Sequence, residues 1–311
     1  CYLPTGKAMY EQLVKQTLTD KHISIHKIHN FGILEVERIH GEMDKIQQRL
    51  GISGNRKHFF KYMRNRKDLK FKSKKEVLDL YKNQIKKLKN GLMKQSFRDK
   101  IKTKCLVKEV PKFNEEFSPE AYYLSGDFAG KRPGKFFINM RNLNQMSKID
   151  IESLTLHEVL PGHHYHLSYL NEKKDLPLFI QNFNVESFVE GWGLYSENLG
   201  EYETLESYFG KLVMELLRAI RLVVDTGIHY YGWSYEKTFN YMRNNGYDNP
   251  EQTKQQIMRY ISIPSQALAY KMGEKCIIEC LNKWIKNGNT DFKDFHRKVL
   301  EDGIIPLWDA P

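Results

Sequence analysis

One short segment of the chain places metal-binding imidazoles beside a carboxylate that could transfer protons. It reads HEVLPGHH over residues 157–164 and follows an apolar run. The common zinc-binding motif is His-Glu-x-x-His, in which two imidazoles lie four residues apart on one helical face and the intervening glutamate polarises water. Here Pro161 takes the place of the second histidine. The segment therefore predicts a zinc motif with altered spacing, with His157 as the first ligand and Glu158 as the base.

The altered spacing raises the question of which later histidine meets His157. Successive helical residues rotate by about 100°, so His163 points away from His157, whereas His164 returns to the same face about 10 Å further along the axis. A straight helix would bring neither imidazole to His157. Pro161 pushes against the carbonyl one turn earlier and Gly162 accepts unusual backbone angles, so a kink or bulge is expected there. We predict that this distortion returns His163 as the second ligand, with His164 as the second choice.

A zinc site of this type needs a third protein ligand and leaves a fourth position for water. The segment ESFVEGWGLYSE at residues 186–197 offers three carboxylates on one predicted helical face. Their burial beside Phe, Val, Trp and Leu is costly unless they coordinate, pair or protonate. We predict Glu190 as the third ligand and Glu197 as a carboxylate that holds a ligand histidine. The competing interpretation is a polar helix end without metal, since His-Glu pairs also arise by chance.

The two segments HEVLPGHH and EGWGLYSE together resemble the hallmark of the bacterial family DUF885, which is His-Glu-x-x-Pro-Gly-His-His followed by Glu-Gly-Trp-x-x-Tyr-x-Glu. The resemblance extends over nearly the whole chain. Further segments that are similar to family patterns are residues 6–10, 28–32, 132–139, 225–229 and 259–270. Ser265 replaces the usual glycine of the last pattern, and Gln266 remains in place.

This resemblance implies a mainly α fold of the zinc-metallopeptidase type. It also implies a site related to that of the His-Glu-x-x-His enzymes that use a glutamate as third ligand. One zinc ion is therefore the expected cofactor. The substrate is poorly defined for the family, so the resemblance does not supply it.

A further acid and imidazole, Asp225 and His229, lie four residues apart on a predicted long helix that also contains Arg218 and Arg221. In a metal site, Asp225 could orient His229 as a donor to a developing oxyanion. A structural hydrogen bond is the competing interpretation, and spacing alone favours it. The resemblance to the family pattern Asp-Thr-Gly-x-His gives the two interpretations equal weight.

Several polar side chains cluster around Pro264 in a predicted helix-turn-helix. Arg259 is predicted to clamp a substrate carboxylate through a bidentate contact, and Tyr260 or Tyr270 to stabilise a tetrahedral intermediate. Such a clamp would make the protein a carboxypeptidase or a dipeptidase. This hypothesis rests on residue types and on the likeness of residues 259–270 to the family pattern.

Together these residues predict a zinc-dependent hydrolase, and in the first place a metallopeptidase. Zinc activates water and polarises the peptide carbonyl, while Glu158 takes the proton and passes it to the departing amine. Two other classes stay open: a metal-dependent hydrolase of small amides or esters, and a catalytically silent binding protein with a vestigial site. The expected partner is a peptide or a small amide. The sequence does not define peptide length, side-chain preference or oligomeric state.

Length and composition predict a single domain with a substantial core, because 41% of the 311 residues are hydrophobic. Cys276 and Cys280 lie four apart in a helical pattern, and the cysteines are predicted to be thiols. No apolar run approaches the ~18 residues of a membrane span, and the first 30 residues lack the apolar centre of a secretory signal. Because the chain begins with Cys1 rather than Met, we expect a missing N-terminal portion, and an export signal could have been removed with it.

The net charge of +11 is concentrated in residues 56–104, where Lys and Arg far outnumber acids. Interleaved aromatics would suit a nucleic acid or an anionic surface. However, Val77, Tyr81 and Leu88 belong to an apolar set that recurs at helical spacing. The pattern therefore favours an amphipathic helix with a basic solvated face, and nucleic acid is not the favoured partner.

The periodicity and breaker residues predict a mainly α chain with one short β region. Within the single domain we expect a helical basic layer at 1–110, a small β region at 111–145 and a helical metal-site core at 146–311. Helices are predicted at about 4–18, 26–50, 55–64, 74–89, 92–104, 149–172, 183–200, 204–230, 234–245, 250–261, 263–286 and 290–301. A strand is predicted at residues 136–140. An edge strand near a zinc helix could hold an extended peptide, and a purely structural role for this strand is the equal alternative.

Overall fold

A computed structural model of the chain describes residues 3–127, 132–173, 176–177, 180, 183–247 and 249–306. Helices make up most of this part, and a three-stranded sheet lies among them. The predicted mainly α fold with a small sheet is confirmed. Within the described residues, no helix is both long enough and apolar enough to cross a bilayer.

The elements follow one another along the chain with short connections. The helices are α1 (Gly6–Thr17), α2 (Ile25–Arg49), α3 (Arg56–Asn65), α4 (Lys74–Asn90), α5 (Leu92–Ser96), α6 (Ile151–Glu158), α7 (His163–Glu172), α8 (Glu186–Glu197), α9 (Leu205–His229), α10 (Tyr235–Asn244), α11 (Pro250–Ser262), α12 (Ala269–Lys286) and α13 (Phe292–Glu301). The strands are β1 (Cys105–Glu109), β2 (Ala121–Leu124) and β3 (Gly134–Ile138). Several helices begin after a capping side chain that accepts a first-turn N–H, as Ser24 and Asn249 do.

The helix predicted at 92–104 is much shorter in the structure. It ends at Ser96, and the chain then extends into β1. The backbone N–H groups of Lys102 and Thr103 donate to the carboxylate of Glu172, at 2.8 and 2.7 Å, instead of continuing a helix. Tertiary hydrogen bonds thus override the local helical pattern. As a consequence, the predicted helical layer 1–110 ends in a strand.

The helix predicted at 263–286 begins later, at Ala269. Pro264 lacks a backbone donor and Ser265 has a left-handed φ of 70°, so the chain turns before the helix starts. This turn directs Gln266 toward α8, where its amide donates to Glu186.

The long helix α9 is the centre of the fold, since α2, α6, α10, α11 and α12 all pack against it. Leu212, Leu222 and Val223 on this helix are fully buried. Helix α2 approaches α9 closely at Gly32, where an added Cβ would lie 2.8 Å from side-chain carbons of Leu222 and Val223. The burial of these apolar faces supplies the main stabilisation of this part of the core.

Helix α8, which carries the predicted carboxylates, packs along α12. The two backbones almost touch at a pair of glycines, because a Cβ on Gly191 would lie 2.5 Å from the Cα of Gly273. Trp192 and Phe188 on α8 are fully buried in the core that α6 also enters. These contacts hold α8 in a defined position beside α6.

The sheet has the strand order β1-β3-β2, with β1 parallel and β2 antiparallel to β3. The strand predicted at 136–140 is β3, which is central, so its assignment as a peptide-holding edge strand is wrong. Both of its edges are already hydrogen-bonded to neighbouring strands. The edge strand beside the site is β2, which contacts α6 and α7. The sequence reasoning missed β2 as a strand because its four residues give too short an alternation.

A buried network of charges ties α2, α9 and α12 together around Glu215. The Glu215 carboxylate contacts Lys211 at 2.5 Å and Lys271 at 2.7 Å, and it also contacts Arg38. Burial alone would raise the pKa of Glu215, but Lys271, Lys211 and Arg38 hold it well below its ordinary value. Lys271 contacts Glu274 in turn, at 2.7 Å. Glu35 also pairs with Arg38 and Lys271, so Glu215 is the carboxylate that contacts all three cations of a shared network.

Replacement of Glu215 by glutamine should strongly destabilise the protein. The change leaves buried lysines without their shared counter-charge, and breaking a buried ion pair costs about 3–5 kcal/mol of the free energy of unfolding. Urea denaturation followed by circular dichroism measures the difference. The matched control is Glu279→Gln in the exposed pair with Lys275, where little change is expected. Equal stability of the two variants would contradict this account.

Candidate metal centre

The predicted distortion of the HEVLPGHH segment lies between two helices. Helix α6 ends at Glu158 and α7 begins at His163, and the Leu160–Pro161 peptide bond between them is cis. Gly162 is required at the bend, because a Cβ there would overlap the carbonyl oxygen of His157. The bend is also held from α8, where the Trp192 indole N–H donates to the carbonyl oxygen of Pro161 at 2.9 Å. The helix predicted at 149–172, with its kink at Pro161 and Gly162, is therefore divided into two helices.

The bend brings together the three residues predicted as metal ligands. His157 Nε2 and His163 Nε2 each lie 3.5 Å from Glu190 Oε2, and one ligand atom from each residue lies within 4.8 Å of the other two. The two imidazole rings are nearly perpendicular, at 87°. Tetrahedral zinc with bonds of about 2.0–2.1 Å separates its ligand atoms by roughly 3.3 Å. The spacing thus fits a zinc ion with little movement.

Unsatisfied polar atoms mark the same point. Among the described residues, Glu190 Oε2, His163 Nδ1 and Glu158 Oε2 are buried without a hydrogen-bond partner. Buried polar atoms are almost always paired in folded proteins. A cation would satisfy Glu190, and a water molecule held beside Glu158 would satisfy its free oxygen. The orphaned atoms therefore fit a metal centre better than they fit a closed polar core.

Electrostatics at the cluster favour positive charge. Burial lowers the pKa of His157, but contacts with Glu190 and Glu197 outweigh it and raise the pKa to about 10. Burial likewise raises the pKa of Glu190, but contacts with His157 and His163 bring it well below its ordinary value. Without a metal, a second proton on the His157 imidazole supplies the positive charge that the carboxylates demand. A divalent cation can supply it instead.

Glu197 lies where a ligand-orienting carboxylate is predicted. Its Oε1 accepts a hydrogen bond from His157 Nδ1 at 2.8 Å, so Nδ1 keeps a proton and Nε2 is the nitrogen that would lose its proton and ligate a metal. Arg218 Nη2 lies 3.6 Å from the same oxygen. Gly193 leaves room for the imidazole, since a Cβ there would lie 2.8 Å from the His157 ring. Helix α8 thus supplies the candidate ligand Glu190, the carboxylate of Glu197 that holds His157, and the space for the His157 ring.

The second-choice ligand His164 points elsewhere. Its Nδ1 lies 3.0 Å from the hydroxyl of Tyr123 on β2 and 3.3 Å from Ser168 Oγ. Burial lowers the pKa of His164 to about 4, so the ring is neutral near pH 7. His164 therefore ties α7 to the edge strand, and His163 is the imidazole that faces Glu190.

Asp225 and His229 do not form the predicted pair. The Tyr10 hydroxyl donates to Asp225 Oδ1 at 2.5 Å, and the Ser265 backbone N–H donates to the same oxygen at 3.1 Å. His229 Nε2 instead donates to the Tyr260 carbonyl oxygen at 2.9 Å, and its ring stacks on Tyr10. Burial raises the pKa of Asp225 to about 7. Asp225 and His229 thus both contact Tyr10. The two segments that resemble family patterns, residues 6–10 and 225–229, therefore pack against each other.

Arg259 and Tyr270 lie on the side of the centre formed by α8 and α12. Arg259 Nη2 donates to Gln266 Oε1 at 2.6 Å and lies 3.4 Å from the Tyr270 hydroxyl. The Gln266 amide donates to Glu186, which is one turn before Glu190. The guanidinium of Arg259 is therefore already bonded within the protein, and its predicted role as a carboxylate clamp has no support from these contacts.

Sequence reasoning placed Arg218 and Arg221 on α9 but gave them no role. Arg221 lies over the Tyr270 ring, 4.7 Å from its centroid, and its Nε donates to the Tyr260 hydroxyl at 3.3 Å. Tyr260 donates onward to Gln256 at 2.9 Å and is itself fully buried. The sequence could have indicated a role for them, because the two arginines lie three residues apart in the apolar stretch 216–224 and therefore on one helical face.

The fold and the centre define a mainly helical protein in which two imidazoles and a carboxylate converge at a bend. Residues 3–309 match the family model described as a bacterial protein of unknown function, DUF885. The chain belongs to this family, as its motifs indicated. A comparison with curated proteins finds no match.

Two solved structures are similar to the chain over almost its whole length. One is described as the putative lipoprotein from Colwellia psychrerythraea; it is 31% identical with a TM-score of 0.93, and the match covers 99% of this chain and 54% of that chain. The other is a putative lipoprotein of unknown function from Shewanella oneidensis, 20% identical with a TM-score of 0.81, over 97% of this chain and 58% of that chain. The chain thus spans little more than half the length of these proteins.

Proposed function

We propose that this chain is a zinc-dependent hydrolase that cleaves peptides. The observation that carries the proposal is the convergence of His157, His163 and Glu190 on one point, with the unpartnered carboxylate of Glu158 adjacent in sequence to the first ligand. Three protein ligands with an open position are typical of catalytic rather than structural zinc. A structural site would be closed by a fourth side chain.

The chemistry divides between the metal and Glu158. When bound at this cluster, zinc supplies Lewis acidity that acidifies water and polarises a carbonyl oxygen. Glu158 accepts a proton from water as the water oxygen bonds to the carbonyl carbon. The same carboxyl then gives that proton to the amide nitrogen as the carbon–nitrogen bond breaks. One water is consumed, and a carboxylic acid and an amine leave.

The surrounding residues fix the ligands in place. Glu197 holds the His157 imidazole through Nδ1, and Arg218 in turn lies beside Glu197. A metal-ligating imidazole whose other nitrogen donates to a carboxylate is both oriented and more basic. The arrangement therefore supports a tightly bound ion.

A peptide substrate is supported by the position of β2. Among the described residues, β2 pairs with β3 alone, so its other edge is free for an added strand. Tyr123 of β2 contacts His164, the residue after the candidate ligand His163. Strand β2 thus lies next to α7, the helix that carries His163. Small amides and esters are the alternative substrates, which a panel of peptide and non-peptide compounds separates.

Zinc content tests the centre directly. The purified protein, dialysed against zinc and then against buffer, should retain about one zinc per chain by elemental analysis. His163→Gln should lose most of this zinc, because one of three ligands is removed. His22→Gln, a change at an exposed histidine, should retain it. Equal zinc in all three proteins, or none in the unmodified protein, would remove the basis of the proposal.

We also infer that the full-length protein is exported. The 31% identical relative is described as a putative lipoprotein, and the present chain covers 54% of it. Fractionation of cells that express the full-length gene, with antibody detection, tests this inference; recovery only in the cytoplasm would contradict it.

A further inference from the structure

Two buried arginines of α9 meet at one aromatic ring. Arg218 and Arg221 are three residues apart, and both are buried in a helix whose neighbouring side chains are apolar. The guanidinium of Arg218 lies 6.0 Å from the centroid of Tyr270, and that of Arg221 lies 4.7 Å from it. Two cations at this spacing on one helical face repel each other. Their joint burial therefore calls for negative charge nearby.

The described carboxylates that act on the pair, Glu197 and Glu120, act on Arg218. Arg218 Nη2 has Glu197 at 3.6 Å, while its Nε is buried without a hydrogen-bond partner among the described residues. No described carboxylate lies within 4.0 Å of Arg221. Its partners are neutral: the Tyr260 hydroxyl at 3.3 Å and, more weakly, Gln256 Oε1 at 3.5 Å. A buried cation without a counter-charge is strongly unfavourable, which points to an anion that arrives from outside.

The donors of Arg221 are not exhausted by these contacts. A guanidinium offers five N–H groups in a planar fork, and the described hydrogen bonds use Nε and Nη2. Nη1 remains, and the fork geometry suits a carboxylate better than any other common anionic group in peptides.

The arginine pair is connected to the metal centre through a chain of side-chain contacts. Arg218 contacts Glu197, and Glu197 holds the candidate ligand His157. On the other side, the hydroxyl of Tyr270 lies 3.5 Å from the Gln266 amide, which donates to Glu186 one turn before Glu190. The Tyr270 ring, against which both guanidinium groups lie, is thus linked to the metal helices from both sides.

We propose that Arg221, assisted by Arg218, binds the free C-terminal carboxylate of the substrate. This inference rests on the proposed zinc hydrolase and names its substrate class. The enzyme then acts as a carboxypeptidase or dipeptidase, in which water adds across a peptide bond near the C-terminus and a short fragment with the free carboxylate leaves. Peptides that end in an amide lack the charge that Arg221 requires and are poor substrates.

The test compares matched substrates on the zinc-loaded protein. N-acetylated tripeptides of mixed sequence are prepared with a free C-terminal carboxylate and, separately, with a C-terminal amide. The unmodified protein should cleave the acids with a kcat/KM roughly 10- to 100-fold higher, as one charge-assisted contact allows. In Arg221→Met this ratio should fall toward one, mainly through a higher KM for the acids. The control Arg297→Met, at a half-exposed arginine, should keep the ratio.

The outcomes separate the two proposals. Equal cleavage of acids and amides by the unmodified protein, or equal losses for both in Arg221→Met, would overturn the carboxylate site and leave the hydrolase standing. If neither the acids nor the amides are cleaved, the hydrolase proposal fails, and calorimetry then measures binding of the same peptides to the zinc-loaded protein. Tighter binding of the acids that is lost in Arg221→Met would support the carboxylate site. Equal binding of acids and amides would contradict the carboxylate site as well as the hydrolase. If Arg221→Met does not fold, Arg221→Lys keeps the charge but not the fork and should raise the KM for the acids alone; an unchanged KM contradicts the proposal.

Discussion

Replacement of Glu158 by glutamine should abolish hydrolysis while leaving the protein folded and loaded with zinc. Glutamine has nearly the same shape as glutamate but cannot accept a proton, and a positioned general base contributes about 10²–10⁴-fold to rate. Glu158 Oε2 has no hydrogen-bond partner among the described residues, so the change breaks no bond within the described structure. The loss should therefore fall on kcat rather than on stability.

Steady-state kinetics on a peptide mixture, zinc analysis and thermal unfolding of the same preparations measure these three properties. The matched control is Glu116→Gln, because the Glu116 side chain is 66% exposed and contacts only Arg141 at 3.9 Å among the described residues. A fully active Glu158→Gln protein would refute the role of this residue. A protein that loses its zinc as well as its activity would show that Glu158 supports the metal rather than the proton transfer.

Replacement of Gly162 by alanine should cost both zinc and stability. The added Cβ would overlap the backbone carbonyl oxygens of Leu156 and His157, and backbone atoms cannot rotate away as a flexible side chain can. The chain must shift at the bend, which moves His163 relative to His157. Overpacking of this kind costs about 1–3 kcal/mol or more of the free energy of unfolding. A ligand displaced by 1 Å no longer completes the centre, so zinc affinity should fall at least about tenfold.

Zinc titration with a competing chelator and urea denaturation quantify the two effects. The control is Gly41→Ala in α2, where an added Cβ meets nothing within 4 Å. That change should leave zinc affinity unaltered and increase stability by about 0.5–1 kcal/mol, since alanine favours a helix over glycine. Unchanged zinc affinity in Gly162→Ala would show that the bend is not what positions His163.

The Gly162 and Arg221 variants probe different parts of the same centre. Gly162 acts through the backbone and changes the position of a candidate ligand, so both acid and amide substrates should suffer. Arg221 lies over Tyr270 and is proposed to contact only the substrate carboxylate. A pattern in which Gly162→Ala lowers all activity and Arg221→Met lowers activity toward acids alone would support both assignments together.

Local chemistry of the sequence determined the residue types of the centre and the helices that carry them. His157 and Glu158 could be named because they match the start of a zinc-binding motif, and Glu190 because carboxylates recur at helical spacing in an apolar segment. The family motifs and most helices were evident for the same reason. Pro161 and Gly162 likewise indicated a bend, because their backbone limits are intrinsic to the two residues.

The tertiary structure alone decided which groups meet across the fold. The direction of the bend turned His163 toward Glu190 and His164 toward Tyr123. The contact of Asp225 with Tyr10 and the packing of Arg221 over Tyr270 both join elements that are distant in sequence. Such contacts depend on how whole helices pack, since a side chain's partner is set by the position and rotation of two elements at once. Residue spacing along one helix does not indicate how that helix is positioned and rotated against another.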